Sequence, residues 1–173
     1  DAYITINGQY CFDRDGVIYE RSLPADSVRS VVPYLEREQI ACSFVELDRT
    51  YYNLVNDRVR ALNRKLGQSD KRDRIEAVED AWKRRIYQLS AFVSPREEEA
   101  FFEHMPECKS VRWAQGFMDV IPVEGGKPVG MDRVLEHYGI DLAHTMAFGD
   151  GGNDIEMLRH AGIGVAMGNA SDE

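Results

Sequence analysis

The 173-residue sequence predicts an α/β fold carrying an inserted α+β unit, and three stretches predict it. Residues 145–162 run from an apolar strand through the polar turn Gly149-Asp150-Gly151-Gly152-Asn153-Asp154 into an amphipathic helix. A strand-turn-helix junction of this kind is a building unit of open α/β sheets. Residues 27–122 instead mix helical and strand-like segments and close on two runs that pair across Gln115-Gly116. Near the start, Tyr10 and Phe12, then Val17, Ile18 and Tyr19, form extended runs around the strong turn dipeptide Asp15-Gly16.

Each element has a local reason. Residues 10–19 form a β-hairpin. Residues 27–39 favour a helix, with Pro33 marking its first turn or a kink. Residues 41–47 and 51–55 are strand-like, with Asp48-Arg49-Thr50 turning between them. Residues 57–66 and 70–85 are charged and helix-favouring, with apolar faces at Val59, Leu62 and Leu66, then at Ile75, Val78 and Trp82. A strand over 86–93, a helix over 96–105 and strands over 111–114 and 117–122 complete the middle. In the last part, residues 145–148 suit a buried strand, and Ile155, Met157, Leu158 and Ala161 carry a helical apolar stripe that Gly162 stops. Asp150 then stands at the carboxyl end of a strand, where open α/β sheets bind ligands. Asn153 and Asp154 stand at a helix start, where free N–H groups favour anions.

Composition narrows the function classes. With 43% hydrophobic and 29% charged residues the chain is ordinary globular material. A net charge of −9 argues against broad nucleic-acid binding, which calls for a basic face. No apolar run approaches the roughly 20 residues that span a bilayer, so no membrane partner is expected. Cys11, Cys42 and Cys108 are odd in number, widely spaced and free of any CxxC pattern; buried thiols and a reducing, cytoplasmic setting follow. His104, His137, His144 and His160 form no zinc-ligand spacing. Lys83-Arg84-Arg85 reads as a solvated helix end, and Tyr51, Tyr52 and Trp113 as packing residues.

The stretch GDGGND followed by IEML and GVAMGNA resembles the fourth motif of the haloacid dehalogenase (HAD) superfamily, specifically its Cof-type phosphatases with a large second-type cap. VIPVEGGKPVGMDRVLEHYGID resembles the third-motif region, with Lys127 at a loop-to-helix junction and a helix ending at Gly139. Pro128 replaces the small residue often found next. YITINGQYCFDRDGVIYERSLP resembles the segment after the second motif, marked by Asn7-Gly8. The resemblance implies a Rossmannoid parallel-sheet core from segments 1–22 and 123–173, with an α+β cap at 23–122 between them. The family's nucleophile, the first aspartate of a DxDGT-like motif, does not precede Asp1, so the chain is expected to be an internal piece of a longer protein.

The same resemblance implies a Mg²⁺-dependent phosphatase of small phosphorylated metabolites that works through an aspartyl-phosphate. Asp150 would be the carboxylate metal ligand, and Asp154 a second carboxylate that orients the metal shell through water or caps its own helix. Lys127 would bridge nucleophile and phosphate, Asn153 would donate to the phosphate, and Asn7 would line the same crevice. These assignments meet a physical need, because an anionic nucleophile and a phosphomonoester repel each other until cations neutralise them. A second function class stays open: a non-catalytic domain that keeps the cap and half the site and binds a ligand or partner. The oligomeric state is left open.

One decoy and three rival motifs are set aside. Asp13-Arg14-Asp15-Gly16 spells a DxDG loop, but the extended VIYERSLP that follows makes it a hairpin turn rather than a nucleophile loop. Gly126-Lys127 lacks the earlier Gly and the following Ser or Thr of a P-loop. Gly152 occupies the third position of a would-be calcium loop. Gly162, Gly164 and Gly168 miss the GxGxxG spacing and follow a helix.

Overall fold

A computed structural model describes residues 1–67 and 74–170. The chain divides into two compact units, Asp1–Arg21 with Val123–Glu173, and Ser22–Pro122.

The first unit opens with β1 (Ala2–Thr5), a tight turn over Ile6–Gly8, β2 (Tyr10–Asp13) and β3 (Val17–Glu20). These form a three-stranded antiparallel sheet in the order β1-β2-β3, with a register shift between Cys11 and Phe12. The hairpin is therefore real, and its turn is tied by Asp13, whose Oδ1 accepts from the Asp15 and Gly16 amides at 2.8 and 3.0 Å.

The second unit begins with α1 (Ala25–Arg37), then β4 (Cys42–Val45), β5 (Thr50–Tyr52) and α2 (Asp57–Lys65). β6 (Gln88–Ala91), α3 (Glu98–Phe102), β7 (Cys108–Ala114) and β8 (Phe117–Pro122) complete it. Its five strands form one antiparallel sheet ordered β5-β4-β6-β8-β7. Strand alternation sorts the faces. Phe44, Leu89 and Val120 stand in register and join Val28, Val31, Val32 and Leu35 of α1 in the main core. On the opposite face Ser43, Ser90 and Asp119 align, and Ser90 Oγ donates to Asp119 Oδ1 at 2.7 Å. α2 contributes Val59 to a smaller cluster with Ala41, Phe92 and Phe117, and Asn56 caps it by accepting from the Arg58 and Val59 amides.

Returning to the first unit, α4 (Lys127–Tyr138) packs on the Ile6–Gly8 turn and on β1 to β3. It ends at Gly139 in the left-handed conformation. β9 (Met146–Gly149), α5 (Ile155–His160) and β10 (Ile163–Ala166) follow, with β9 and β10 paired in parallel.

Several expectations need correction. The helix predicted over 70–85 starts in residues 68–73, outside the described residues, and between Arg74 and Arg85 the chain is not helical apart from one turn of 3-10 helix at Ala81–Lys83. Instead the Tyr52 amide donates to the Arg74 carbonyl at 2.7 Å, the Glu76 amide donates to the Tyr52 carbonyl at 3.0 Å, and Ile75 bridges Tyr52 in parallel. The edge of β5 offers unpaired backbone groups, and pairing with them wins over a charged helix. Lys83 ends that single turn and Arg84 is its cap residue, lying over the buried Tyr51 ring. Pro33 falls in the interior of α1 rather than in its first turn. The helix predicted over 96–105 shrinks to α3, because Ser94 and Glu97 tie the preceding chain into a turn. β9 is buried on one face only: Ala147 is covered, while Met146 and Phe148 are 55% and 60% exposed. Among the described residues β9 pairs with β10 alone. Tyr51 and Tyr52 pack on Phe44 and Phe92, and all three cysteines are buried thiols.

Candidate active site

The site is built at the carboxyl end of β9. Gly149 pairs with Ala166, and the Met167 amide donates to the Gly149 carbonyl at 2.9 Å, which carries β10 past the turn. Asn169 thereby reaches Asp150, donating from Nδ2 to Oδ2 at 2.7 Å. Asp150 itself is exposed. Gly149 has no room for a side chain: a Cβ there would lie 2.4 Å from the Cβ of Asp154.

Asp154 organises the turn. One oxygen, Oδ2, accepts from the Asp150 and Gly151 amides, both at 3.1 Å. The other, Oδ1, accepts from Lys127 Nζ at 2.5 Å. Burial to 8% exposure works against ionising this carboxylate, but the Lys127 bond, the Gly151 and Asp150 amides and the lysine charge together hold its pKa below the ordinary range. Asp154 is thus a committed anion whose two oxygens are used inside the protein.

Lys127 is the first residue of α4, entered through Gly126 at φ 136° and followed by Pro128, a residue whose missing N–H is harmless at a helix start. The start of α4 is pressed against the Ile6–Gly8 turn. A Cβ on Gly8 would lie 2.2 Å from the Gly126 carbonyl oxygen, so this close approach demands glycine. Asn7 sits in the left-handed region at φ 50° and Ile6 beside it at φ 51°, an uncommon state for a β-branched residue. From that position Asn7 Oδ1 accepts from Asn153 Nδ2 at 3.4 Å.

The structure therefore brings Asn7, Lys127, Asp150, Asn153 and Asp154 together in one unit, joined by hydrogen bonds across as many as 146 residues. One expectation changes in detail. The helix start at Asn153 and Asp154 is a single 3-10 turn over Gly152–Asp154 followed by the six-residue α5, so the dipole offered to an anion is smaller than a long helix gives. Asp154, with both oxygens engaged, anchors Lys127 and the turn. Sequence reasoning missed Asn169 and Gln9. Asn169 lies inside the GVAMGNA stretch, but only the β9–β10 register shows that it meets Asp150. Gln9 is fully buried, with Nε2 donating to the Asn7 carbonyl at 3.4 Å and Oε1 without a partner among the described residues. Such an oxygen costs about 1–3 kcal/mol if nothing meets it.

As a donor for a hard divalent cation, Asp150 is the exposed carboxylate, with one oxygen accepting from Asn169. Among the described residues no group of three or more His, Cys, Asp and Glu is placed to hold a metal. The donor chemistry fits part of a magnesium site. The decoy Asp13 is different again: besides its two turn amides it accepts from Tyr138 Oη at 2.6 Å. No helix among the described residues is long and apolar enough to cross a membrane.

The family model of haloacid dehalogenase-like hydrolases matches residues 1–173. The chain belongs to that family. Relatives include YkrA of Bacillus subtilis, provisionally named a phosphatase, which is 35% identical over 99% of this chain and 66% of its own. The Escherichia coli 5-amino-6-(5-phospho-D-ribitylamino)uracil phosphatase YbjI is 30% identical over 98% of this chain and 64% of its own. A solved structure of a HAD subclass IIB sugar phosphatase superposes with a TM-score of 0.89 at 37% identity, covering 99% of this chain and 66% of the other. The HAD-like chain described here thus spans 66% of the length of YkrA and of that sugar phosphatase.

Proposed function

We propose that this chain supplies the lysine and carboxylate half of a magnesium-dependent phosphomonoester phosphatase that works through an aspartyl-phosphate. One observation carries the reading: Asp154 holds Lys127 with one oxygen and the turn bearing Asp150 with the other. An ammonium has three N–H donors. With one spent on Asp154, Lys127 keeps two for a phosphate oxygen and for the attacking carboxylate, where negative charge is spread in the transition state. Asp154 keeps the lysine in place and leaves the developing charge to be met by donors already oriented. Asn169 ties Oδ2 of Asp150, and we assign Oδ1 to the cation. A bound Mg²⁺ would supply charge neutralisation at the phosphate without proton transfer. Asn153, steadied by Asn7, keeps a second amide hydrogen for the phosphate.

In this reading the attacking aspartate and the aspartate that activates water come from the family's DxDGT-like motif in the full-length protein. The unit Ser22–Pro122 takes the role of the cap. For substrate we favour a small metabolite whose phosphate sits on a sugar or sugar-alcohol chain. The support is the sugar phosphatase and the ribitylamino-uracil phosphatase among the similar proteins. The test is phosphate release by the full-length protein from p-nitrophenyl phosphate and a panel of sugar phosphates, with Mg²⁺ or with EDTA. Magnesium-dependent release is expected. No release from any compound in the panel would contradict the proposal and favour a non-catalytic binding domain.

A further inference from the structure

Gln9 is a fully buried amide in the first unit that no step of the proposed chemistry uses. It follows Asn7 and Gly8 in the turn that lies against the start of α4. Its Nε2 donates to the Asn7 carbonyl, and its amide group fills the space above Gly125: a Cβ there would lie 2.4 Å from Nε2 and 2.7 Å from Oε1. Gly8 and Gly126 meet at similarly short range, and a Cβ on Gly130 would lie 2.9 Å from the Gly8 Cα. The two backbone segments that present Asn7 and Lys127 are therefore packed without slack, with the Gln9 amide wedged between them.

The choice of side chain is costly. An apolar residue of the same length would fill this space and remove Oε1, which has no partner among the described residues, but it would also take the donor from the Asn7 carbonyl. What the amide adds is its bond to the carbonyl of Asn7, a residue held at φ 50°. Strained backbone persists only where its surroundings over-determine it. A residue that carries such a cost while fixing a strained turn beside a site has the profile of a trade between stability and activity.

We propose that Gln9 is a positioning residue: wedged between the Asn7 carbonyl and Gly125, it sets the spacing of Asn7 and Lys127. The inference rests on the phosphatase reading for its consequence in turnover, and on geometry alone for its effect on Lys127. Gln9→Met keeps the length and removes both the donor and the orphaned oxygen. In the full-length protein we expect this variant to melt close to the parent, since losing the orphaned oxygen offsets losing the donor to the Asn7 carbonyl, while kcat on p-nitrophenyl phosphate falls about tenfold and KM stays within about twofold. Gln9→Ala, which also empties the wedge, should lose both Tm and kcat. Independently of turnover, the Lys127 side-chain signal in a ¹³C-lysine NMR spectrum, assigned by its loss in Lys127→Arg, should shift in Gln9→Met while the other lysine signals stay in place. An unmoved Lys127 signal, or a Gln9→Met variant with parental kcat, would overturn the proposal. If the parent protein turns over no phosphomonoester, the phosphatase reading fails and the NMR shift still decides the role of Gln9.

Discussion

Asp13 is the last residue of β2 and Asp150 the first after β9, and both enter a glycine-containing turn, yet their carboxylates are in opposite states. Asp13 accepts from two turn amides and from Tyr138, and its side chain is 6% exposed. The Tyr138 hydroxyl and the Asp15 amide, helped by the Gly16 amide and nearby His137 against some desolvation, hold it below the ordinary carboxylate range. Asp150 is exposed and accepts from Asn169. The structural work in its turn is done by Asp154, four residues later, which takes the backbone amides and the lysine. The comparison teaches where to look for chemistry: a carboxylate whose hydrogen-bonding capacity is spent on the fold holds structure, and one relieved of that work by a neighbour is free for a ligand.

The largest effect should come from Asp150→Ala. In the full-length protein it should abolish Mg²⁺-dependent turnover and leave the melting temperature nearly unchanged, since little of the fold leans on that side chain; full activity would break the comparison. Asp154→Asn should lower stability as well as turnover, because Asp154 also holds Lys127. The substitution removes a charge-assisted bond to Lys127 and a good acceptor for two amides, a loss of about 1.5–3 kcal/mol in unfolding free energy, read by urea denaturation. Unchanged stability would show that the Asp154 anchor is not needed. Asp13→Asn should lower the melting temperature while kcat stays at the parental value; a large fall in kcat would instead place the hairpin turn in the catalytic machinery.

The smallest effect concerns Glu97, a spent carboxylate in the other unit. The Arg58 guanidinium bonds it and, with the Ser94 hydroxyl and amide working against its burial, holds its pKa down to about 2 from the ordinary 4.5. A carboxylate with a lowered folded pKa contributes fully above its unfolded value and loses that contribution as pH falls through the folded one. The Glu97 contribution should therefore be intact above pH 4.5 and fade between 4.5 and about 2. Glu97→Gln should flatten that part of the stability curve. A variant curve parallel to the parent's would show that Arg58 and Glu97 are screened from each other.

Local pattern made much of this legible. The Asp15-Gly16 hairpin, α4 stopping at Gly139 and the strand-turn-helix at Gly149 each follow from a few neighbouring residues. The segment from Arg74 to Lys83 did not, because the partner of its first residues is the edge of β5, more than 20 residues away, and pairing there overrides a helical apolar spacing. Within the site, Lys127, Asp150 and Asp154 were recognisable from motif spelling, but their division of labour was not. That Asp154 serves as anchor is visible only once the Asp150 and Gly151 amides are seen on one oxygen and Lys127 on the other. Gln9 carried no signal at all, since a glutamine beside Asn7-Gly8 looks like a surface turn residue until α4 is packed on it.

The most direct test of the account is steady-state hydrolysis by the full-length protein with Lys127 changed to alanine, at saturating Mg²⁺. Charge stabilisation made mainly in the transition state predicts a fall in kcat of about 10²–10³ with KM little changed. A rise in KM at parental kcat would make Lys127 a binding residue and contradict the role that its placement by Asp154 implies.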